Sequence, residues 1–132
     1  MNNSKVYVIE DDEMASFMIK KILKSNSNIS TSEFYTNGLL ALEKLKALNL
    51  EKEQFPCFII LDFNMPVMNG KEFIEAIRNL KDINQIPIFM NSGTIEFEEY
   101  RNCLNYENVK GIFFKPFSKQ TLDTILELVS GD

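Results

Sequence analysis

Five short apolar runs, evenly spaced along the chain, alternate with stretches whose apolar residues recur every three or four positions. Runs of this kind are typical of strands buried on both faces, and the three-to-four spacing is typical of amphipathic helices. Regular alternation of strand and helix predicts right-handed crossovers between parallel strands. We therefore expect an α/β fold, a doubly wound five-stranded parallel sheet with helices on both faces. The predicted strands are residues 6–9, 29–35, 58–61, 86–90 and 112–114.

The helical stretches between these runs differ in how strongly they are patterned. In the first stretch the spacing predicts one apolar face packed against the sheet, formed by Met14, Phe17, Met18, Ile22 and Leu23. The stretch 95–104 is the most polar and has the weakest helical pattern. The chain has 132 residues and lacks repeats, linkers and low-complexity segments, so it is predicted to form a single domain over residues 1–132 without an output domain.

The chain contains no histidine, and this absence limits the chemistry open to it. Histidine bases and histidine metal ligands are excluded, and any phosphohistidine must belong to a partner. The net charge of -5 argues against direct binding to nucleic acid or to an anionic membrane, since both need a basic surface. No apolar run approaches the roughly 20 residues that a membrane-spanning helix needs.

Two further features bear on where the protein works. The N-terminus runs into the first strand without the apolar segment of a secretion signal. Cys57 and Cys103 have neither metal-ligand spacing nor a disulfide framework, so we interpret both as small hydrophobic residues in a reducing compartment. We expect a cytoplasmic protein and a monomer.

Asp62 follows the apolar run that ends at Leu61 and precedes a loop rich in turn-forming residues. The end of a buried strand opens onto the carboxyl edge of the sheet, where open α/β folds place their chemistry. An aspartate at this position can simply initiate the turn. However, Asn64, Pro66 and Gly70 already supply turn-forming residues. An aspartate beside a metal ion can also attack phosphorus and form an aspartyl phosphate, and we favour this second interpretation.

Three consecutive acids, Glu10, Asp11 and Asp12, follow the first strand. In isolation such a group is most often a solvated acidic loop. Beside a buried strand, however, clustered carboxylates repel one another, and a bound cation relieves that repulsion. Mg²⁺ fits best, because it is usually held by one or two carboxylates together with phosphate oxygens. Because side chains alternate in direction along a strand, only one or two of the three acids can point into the site. Glu10 and Asp11 lie nearest the strand, so we predict them as ligands and Asp12 as the cap of the first helix.

Polar side chains also end the fourth and fifth runs. Lys115 followed by Pro116 can indicate no more than a strand end and a helix breaker. Among several carboxylates, however, the lysine ammonium would form a strong ion pair and contact a phosphoryl oxygen. The bond between these two residues is a candidate cis peptide bond. A serine after a strand is most often a helix cap, and only the position of Ser92 opposite Asp62 favours a role in the site.

These residues belong to four motifs that resemble the receiver domain of two-component response regulators, and the resemblance covers essentially the whole chain. Four motifs in this order and at this spacing are highly specific, whereas any one of them alone is not. The motifs are VIEDD (8–12), LDFNMPVMNG (61–70), PIFMNSG (87–93) and FKPF (114–117). The resemblance also implies the flavodoxin-like strand order 2-1-3-4-5, known from a chemotaxis receiver.

The resemblance implies a role for each candidate residue at the acidic end of the site. It makes Asp62 the residue that accepts phosphate. It makes Glu10 and Asp11 the acidic pair that binds Mg²⁺, with Asp62 as a further ligand. Asn64 matches the position whose backbone carbonyl completes the metal coordination.

At the other end of the site, Ser92 matches the switch hydroxyl of the family, and Lys115 matches the lysine that contacts the phosphate. One position departs from the family pattern. An aromatic switch residue usually lies three positions before the lysine, and this chain has Ile112 there. The aromatic form of the switch is therefore not expected, whereas phosphorylation is.

The resemblance implies a phosphorelay switch that binds proteins. A sensor histidine kinase or a histidine phosphotransfer protein would donate phosphate to Asp62 with Mg²⁺, and the altered surface would meet a downstream target. Such a protein catalyses only its own phosphoryl transfer and slow dephosphorylation, so it is not expected to be an enzyme. The alternative is a Mg-dependent phosphohydrolase of the haloacid-dehalogenase kind. Those enzymes carry a second aspartate two residues after the nucleophile, where this chain has Asn64, which argues against this alternative.

Overall fold

The computed structural model of the protein describes residues 4–48, 55–93 and 96–130. In these ranges five strands form one sheet in which neighbouring strands run parallel. They lie in the order β2-β1-β3-β4-β5, which confirms the predicted strand order and the doubly wound α/β fold. Their bounds are β1 Lys5–Ile9, β2 Thr31–Tyr35, β3 Phe58–Leu61, β4 Ile88–Ser92 and β5 Val109–Phe114.

Helices follow the strands, as the amphipathic stretches predict. Their bounds are α1 Glu13–Lys24, α2 Gly38–Leu48, α3 Gly70–Ile77, α4 Phe97–Leu104 and α5 Lys119–Ser130. A short 3₁₀ helix, Ile83–Gln85, precedes β4 and has no signal in the sequence pattern. The predicted start of the fourth helix at residue 95 lies outside the described residues. None of the described helices is long and apolar enough to cross a membrane.

The fourth strand differs from the prediction of residues 86–90. It begins at Ile88, because Pro87 has no N–H group to donate to a sheet. It also runs on through Asn91 and Ser92, so these two residues end the strand and do not follow it. Ser92 pairs with Phe114 of β5, and this pairing extends β4 to the carboxyl edge of the sheet.

The second and fifth strands also differ from the predicted ranges. β2 begins at Thr31, two residues after the predicted start. β5 begins at Val109, three residues before the predicted start, and its pairing with β4 is irregular between Ile88 and Phe89. The polar residue Lys110 and Gly111 obscure this first half of β5 in the sequence, since neither is typical of a strand.

Apolar side chains fill both sides of the sheet. On the α2/α3 side, residues of these two helices pack on the sheet together with Cys103 of α4. On the α1/α5 side, residues of α1 and α5 form a second core. Strand residues alternate between the two sides: in β3, Ile60 belongs to the α1/α5 side and Leu61 to the α2/α3 side. A side chain at position 62 therefore lies on the α1/α5 side.

The predicted buried face of α1 is wrong at its N-terminal half. Leu23 is buried as predicted, but Met14, Phe17 and Met18 are 67%, 58% and 44% exposed. Ile19, which the prediction did not include, is buried one turn before Leu23. The apolar stripe of α1 is wider than the strip of helix that the sheet covers, and the three exposed residues lie on its uncovered part.

The spacing in the other helices is more informative. The same three-to-four spacing predicts one buried face in each of α2, α3 and α5. Most positions on these faces are buried, such as Leu42, Ile74 and Ile125, but Leu39 and Val129 are at least a third exposed. Both lie at the end of a helix, where the stripe extends past the core.

The Gly70→Ala variant is expected to be less stable than wild type by about 1–3 kcal/mol, because a new Cβ would overpack the loop after β3. That Cβ would lie 2.7 Å from the Asp62 carbonyl oxygen and 2.9 Å from Phe63 Cα, both of them backbone atoms. Urea unfolding measures the difference. Gly93→Ala is the matched control, since among the described residues its Cβ would meet only Lys115 Cδ, at 4.0 Å. Equal stability of the two variants would contradict the close approach.

Candidate functional site

Two acidic side chains meet where β1 and β3 end. Ile9 and Leu61 are paired in the sheet, so the next residues, Glu10 and Asp62, lie side by side at the carboxyl edge. The Asp62 backbone N–H donates to Ile9 O at 2.9 Å, which continues the pairing by one residue. Glu10 is 3% exposed and Asp62 is 5% exposed. The sheet therefore holds two carboxylates together in a largely buried position.

Asp11 completes a group of three carboxylates. One carboxylate oxygen each from Glu10, Asp11 and Asp62 lies within 4.8 Å of the other two. Asp11 is exposed, whereas the other two are buried, so the group opens to solvent on one side. Hard oxygen donors in this number and spacing fit a small divalent cation such as Mg²⁺, which completes its coordination with water and phosphate oxygens. The predicted convergence of these acids is confirmed.

Lys115 brings a positive charge to the same group. Its Nζ lies 3.1 Å from Glu10 Oε1 and 3.7 Å from Asp62 Oδ2, and it donates a hydrogen bond to Glu10 Oε2 at 3.2 Å. The end of β5 sets its position, because the Lys115 backbone N–H donates to Ser92 O at 2.8 Å. The bond to Pro116 is cis, as predicted. Lys115 therefore brings a positively charged group into contact with both Glu10 and Asp62.

The pKa of Asp62 reflects its burial and the negative charge around it. Burial, and then the charge of Glu10, raise the pKa of Asp62 from 3.8 to about 7, and the charge of Lys115 offsets only part of this rise. Burial tends to lower the pKa of Lys115, but its hydrogen bond with Glu10 and the charge of Asp62 outweigh that effect and raise it. The site thus disfavours a second buried negative charge unless a further cation is present.

The remaining candidates lie around this centre. Asp12 is the N-cap of α1, as predicted, and its Oδ2 accepts from Ala15 N at 2.7 Å. Asn64 lies two residues after Asp62 on an exposed part of the loop between β3 and α3. Ser92 is fully buried at the end of β4, and the N-cap of α4 is Glu96, so Ser92 is not a cap.

One buried polar residue beside the site, Asn91, is not among the residues predicted from the sequence. Its side chain is 2% exposed and lines a cleft of about 200 Å³ beside Lys115 and Pro116. A signal was present in the sequence, because two polar residues in succession end an otherwise apolar run. Only the corrected bounds of β4 place Asn91 inside the strand, next to Asp62.

Ile112, which stands where the resemblance implies an aromatic switch residue, is partly buried on the α2/α3 side. Two aromatic residues follow it. Phe113 packs on the α1/α5 side, and Phe114 is 53% exposed and stacks on Tyr100 of α4, with ring centroids 6.4 Å apart. The aromatic ring nearest the end of β5 therefore lies on the surface.

Comparison with known proteins gives a consistent result. A family model of the response regulator receiver domain matches residues 6–127. The chain is 38% identical over 104 residues to a protein-glutamate methylesterase/protein-glutamine glutaminase of Clostridium acetobutylicum, covering 79% of this chain but only 28% of that protein. It is 26% identical over 127 residues to chemotaxis protein CheY-3 of Vibrio cholerae, covering 96% of this chain and 92% of that protein.

Among solved structures, a two-component response regulator from Cytophaga hutchinsonii has the same fold. It matches with a TM-score of 0.89 and 22% sequence identity over 100% of both chains. The family match spans nearly all of the sequence and includes every residue that meets at the carboxyl edge of the sheet. On this basis the chain belongs to the family of response regulator receiver domains.

Proposed function

We propose that this receiver domain is switched by phosphorylation of Asp62. One observation carries the proposal: a buried carboxylate, raised in pKa by burial, lies between an acidic pair and a lysine ammonium. In this arrangement the negative charge of Asp62 is unfavourable by itself and becomes favourable when cations balance it during phosphoryl transfer. The incoming phosphoryl group would find the ammonium of Lys115 already positioned beside the attacking oxygen.

In the proposed transfer, an Asp62 carboxylate oxygen forms a bond to phosphorus as the bond between phosphorus and the donor nitrogen breaks. The electron pair of that bond stays on the donor imidazole. Lys115 exchanges part of its contact with Glu10 for contact with a phosphoryl oxygen, which offsets the added negative charge. No general base is needed on this chain, because the nucleophile is an anion when it reacts.

Receiver domains typically bind Mg²⁺ at an acidic pocket, and we infer that Glu10, Asp11 and Asp62 hold it here. The resemblance adds the backbone carbonyl of Asn64 to this set. When bound, Mg²⁺ would neutralise charge on the carboxylates and on the phosphoryl oxygens. The residues present fit that role, since they offer three hard oxygen ligands within 4.8 Å of one another.

The partners follow from the same chemistry. Because the chain has no histidine, a phosphohistidine donor must be a separate protein or domain, either a sensor histidine kinase or a histidine phosphotransfer protein. The receiver would then act on a downstream target protein through a changed surface. The similarity to the methylesterase covers 28% of that protein, so its activity is not transferred to this chain.

Turnover of a phosphomonoester separates the proposed switch from the phosphohydrolase alternative. We expect p-nitrophenyl phosphate with Mg²⁺ to give no sustained release of product, because Asn64 replaces the general acid that a hydrolase needs. The Asn64→Asp variant introduces a carboxylic acid at that position and is the matched variant for the same assay. Sustained turnover by wild type would overturn the proposal in favour of the hydrolase.

The signal is expected to leave through α4, β5 and α5. Phosphorylation adds about -1.5 to -2 charges at Asp62, and Ser92 on the neighbouring strand is the predicted hydroxyl that moves towards them. Its movement would act on α4. The N-cap of this helix makes no side-chain hydrogen bond, and Cys103 is the only buried side chain among those described in the helix. An element held by so few buried contacts is where a shift costs least.

Backbone amide NMR tests this output face. Beryllofluoride, which stands in for the phosphoryl group on Asp62, is expected to shift signals mainly in residues 91–117. In the Ser92→Ala variant it should still bind but lose most of the shifts beyond the site. Shifts concentrated in residues 29–48 would show that the output face is elsewhere. Because Ile112 is aliphatic, we expect the rearrangement of its surroundings to be smaller than that of an aromatic switch residue.

A further inference from the structure

Asn91 lies level with Asp62 on the adjacent strand. The register of β3 and β4 pairs Leu61 with Met90, so the residues that follow, Asp62 and Asn91, are neighbours across the two strands. Phe89 belongs to the core on the α1/α5 side, and alternation places Asn91 on that same side. Asp62, two residues after Ile60, also lies on that side. The two side chains therefore share one face of the sheet at its carboxyl edge.

Asn91 and Lys115 line a common cleft. Asn91, Lys115 and Asp12 line this cleft of about 200 Å³, together with Met14 and Met18 of α1. The Lys115 Nζ atom lies 3.7 Å from Asp62 Oδ2, so Asn91 shares a neighbour with the carboxylate proposed to react. The order β3-β4-β5 places Asn91 between Asp62 and Lys115.

The carboxamide of Asn91 is an unusual group to bury here. Its side chain is 2% exposed, and within the described ranges its Oδ1 is buried and meets no hydrogen-bond donor. Burying an unpaired polar group is unfavourable, and an apolar side chain at this position would avoid the loss. A carboxamide can also present its NH₂ group at the same place after a half-turn about its last side-chain bond. Asn91 is thus able to donate to an anion that arrives beside Asp62.

We propose that Asn91 is a phosphoryl-contacting residue, whose Nδ2 donates a hydrogen bond to an oxygen of the group attached to Asp62. This inference rests on the proposed function and extends it by one residue. Three neighbouring strand ends then each contribute one contact: the nucleophile from β3, a neutral donor from β4 and a cation from β5. A neutral donor adds a hydrogen bond to the phosphoryl group without a second positive charge that would compete with Mg²⁺ for the carboxylates.

Calorimetric titration of the full chain with beryllofluoride in the presence of Mg²⁺ tests the contact. Asn91→Leu keeps the approximate shape of the side chain and removes its hydrogen bonds, so it is expected to weaken beryllofluoride binding about tenfold or more. Asn91→Ser restores a donor and is expected to recover much of that loss. Binding of Mg²⁺ alone should be unchanged in both variants, because Asn91 is not among the carboxylate ligands.

Asn108→Leu is the matched control. Asn108 is also buried, and in the described part of the chain its Nδ2 has no partner, but it lies just before β5, at the opposite edge of the sheet. We expect this variant to bind beryllofluoride as wild type does. Wild-type affinity in Asn91→Leu would overturn the inference, as would an equal loss of Mg²⁺ binding. Absence of beryllofluoride binding in wild type would overturn the proposed function, and this inference with it.

Discussion

In the absence of divalent cations, the Asp62→Asn variant is expected to be more stable than wild type at pH 8 by on the order of 4 kcal/mol. Burial, and then the charge of Glu10, raise the pKa of Asp62 to about 7. A carboxyl group whose pKa is higher in the folded state favours folding while it is protonated. Its contribution is fully present below the unfolded pKa of 3.8 and is lost as the pH rises through about 7. Asparagine resembles the protonated form at every pH.

Urea unfolding between pH 4 and pH 8 with a chelator present measures this difference. We expect the two proteins to be similar in stability at pH 4 and to diverge as the pH rises. Asp123→Asn, which changes an exposed carboxylate on α5, is the control and is expected to track wild type across the range. If Asp62→Asn were less stable than wild type at pH 8, the site would not hold an unfavourably buried negative charge.

Magnesium is expected to raise the melting temperature of wild type by several degrees and to have no such effect on the Asp11→Asn variant. A ligand that binds only the folded state adds about 2.7 kcal/mol at a free concentration of a hundred times its Kd. Loss of Asp11 removes one of the three carboxylates proposed to hold the ion. The same loss relieves repulsion among the acids, so Asp11→Asn should be more stable than wild type when no metal is present.

Scanning calorimetry is the appropriate measurement, because the chain has no tryptophan to report on the site by fluorescence. Asp12→Asn is the matched control: it removes the adjacent negative charge, but asparagine caps a helix as well as aspartate does. This control is expected to keep the full Mg²⁺-dependent shift. A full shift in Asp11→Asn, or its loss in Asp12→Asn, would assign the metal ligands differently.

The sequence predicts the fold well because the strands are short and buried on both faces. The apolar run that ends at Leu61 can be identified as a strand from its own sequence, without knowledge of the neighbouring strands. The polar residue after it marks the edge of the sheet. The ends of β4 and β5 are harder to predict. Asn91 and Ser92 look like loop residues, and only their pairing with β5 shows that they belong to the strand.

The exposed residues of α1 show that sequence periodicity alone does not predict which apolar residues of a helix are buried. Periodicity identifies an apolar stripe, but the width of the sheet decides how much of it is covered, so Met14 and Phe17 could not be told apart from Leu23. At the site, Glu10, Asp62 and Lys115 were predictable because each directly follows an apolar run. Asn91 was not, since its place beside Asp62 depends on the register between strands and not on any local pattern.

Mass spectrometry after incubation with acetyl phosphate tests the central claim most directly. The account predicts one phosphate per chain, present only when a divalent cation is added, and mapped to Asp62. It also predicts that Asp62→Asn carries none under the same conditions. Labelling of Asp62→Asn at the wild-type level, or labelling of wild type that is independent of a divalent cation, would contradict the assignment of Asp62 as the phosphate acceptor.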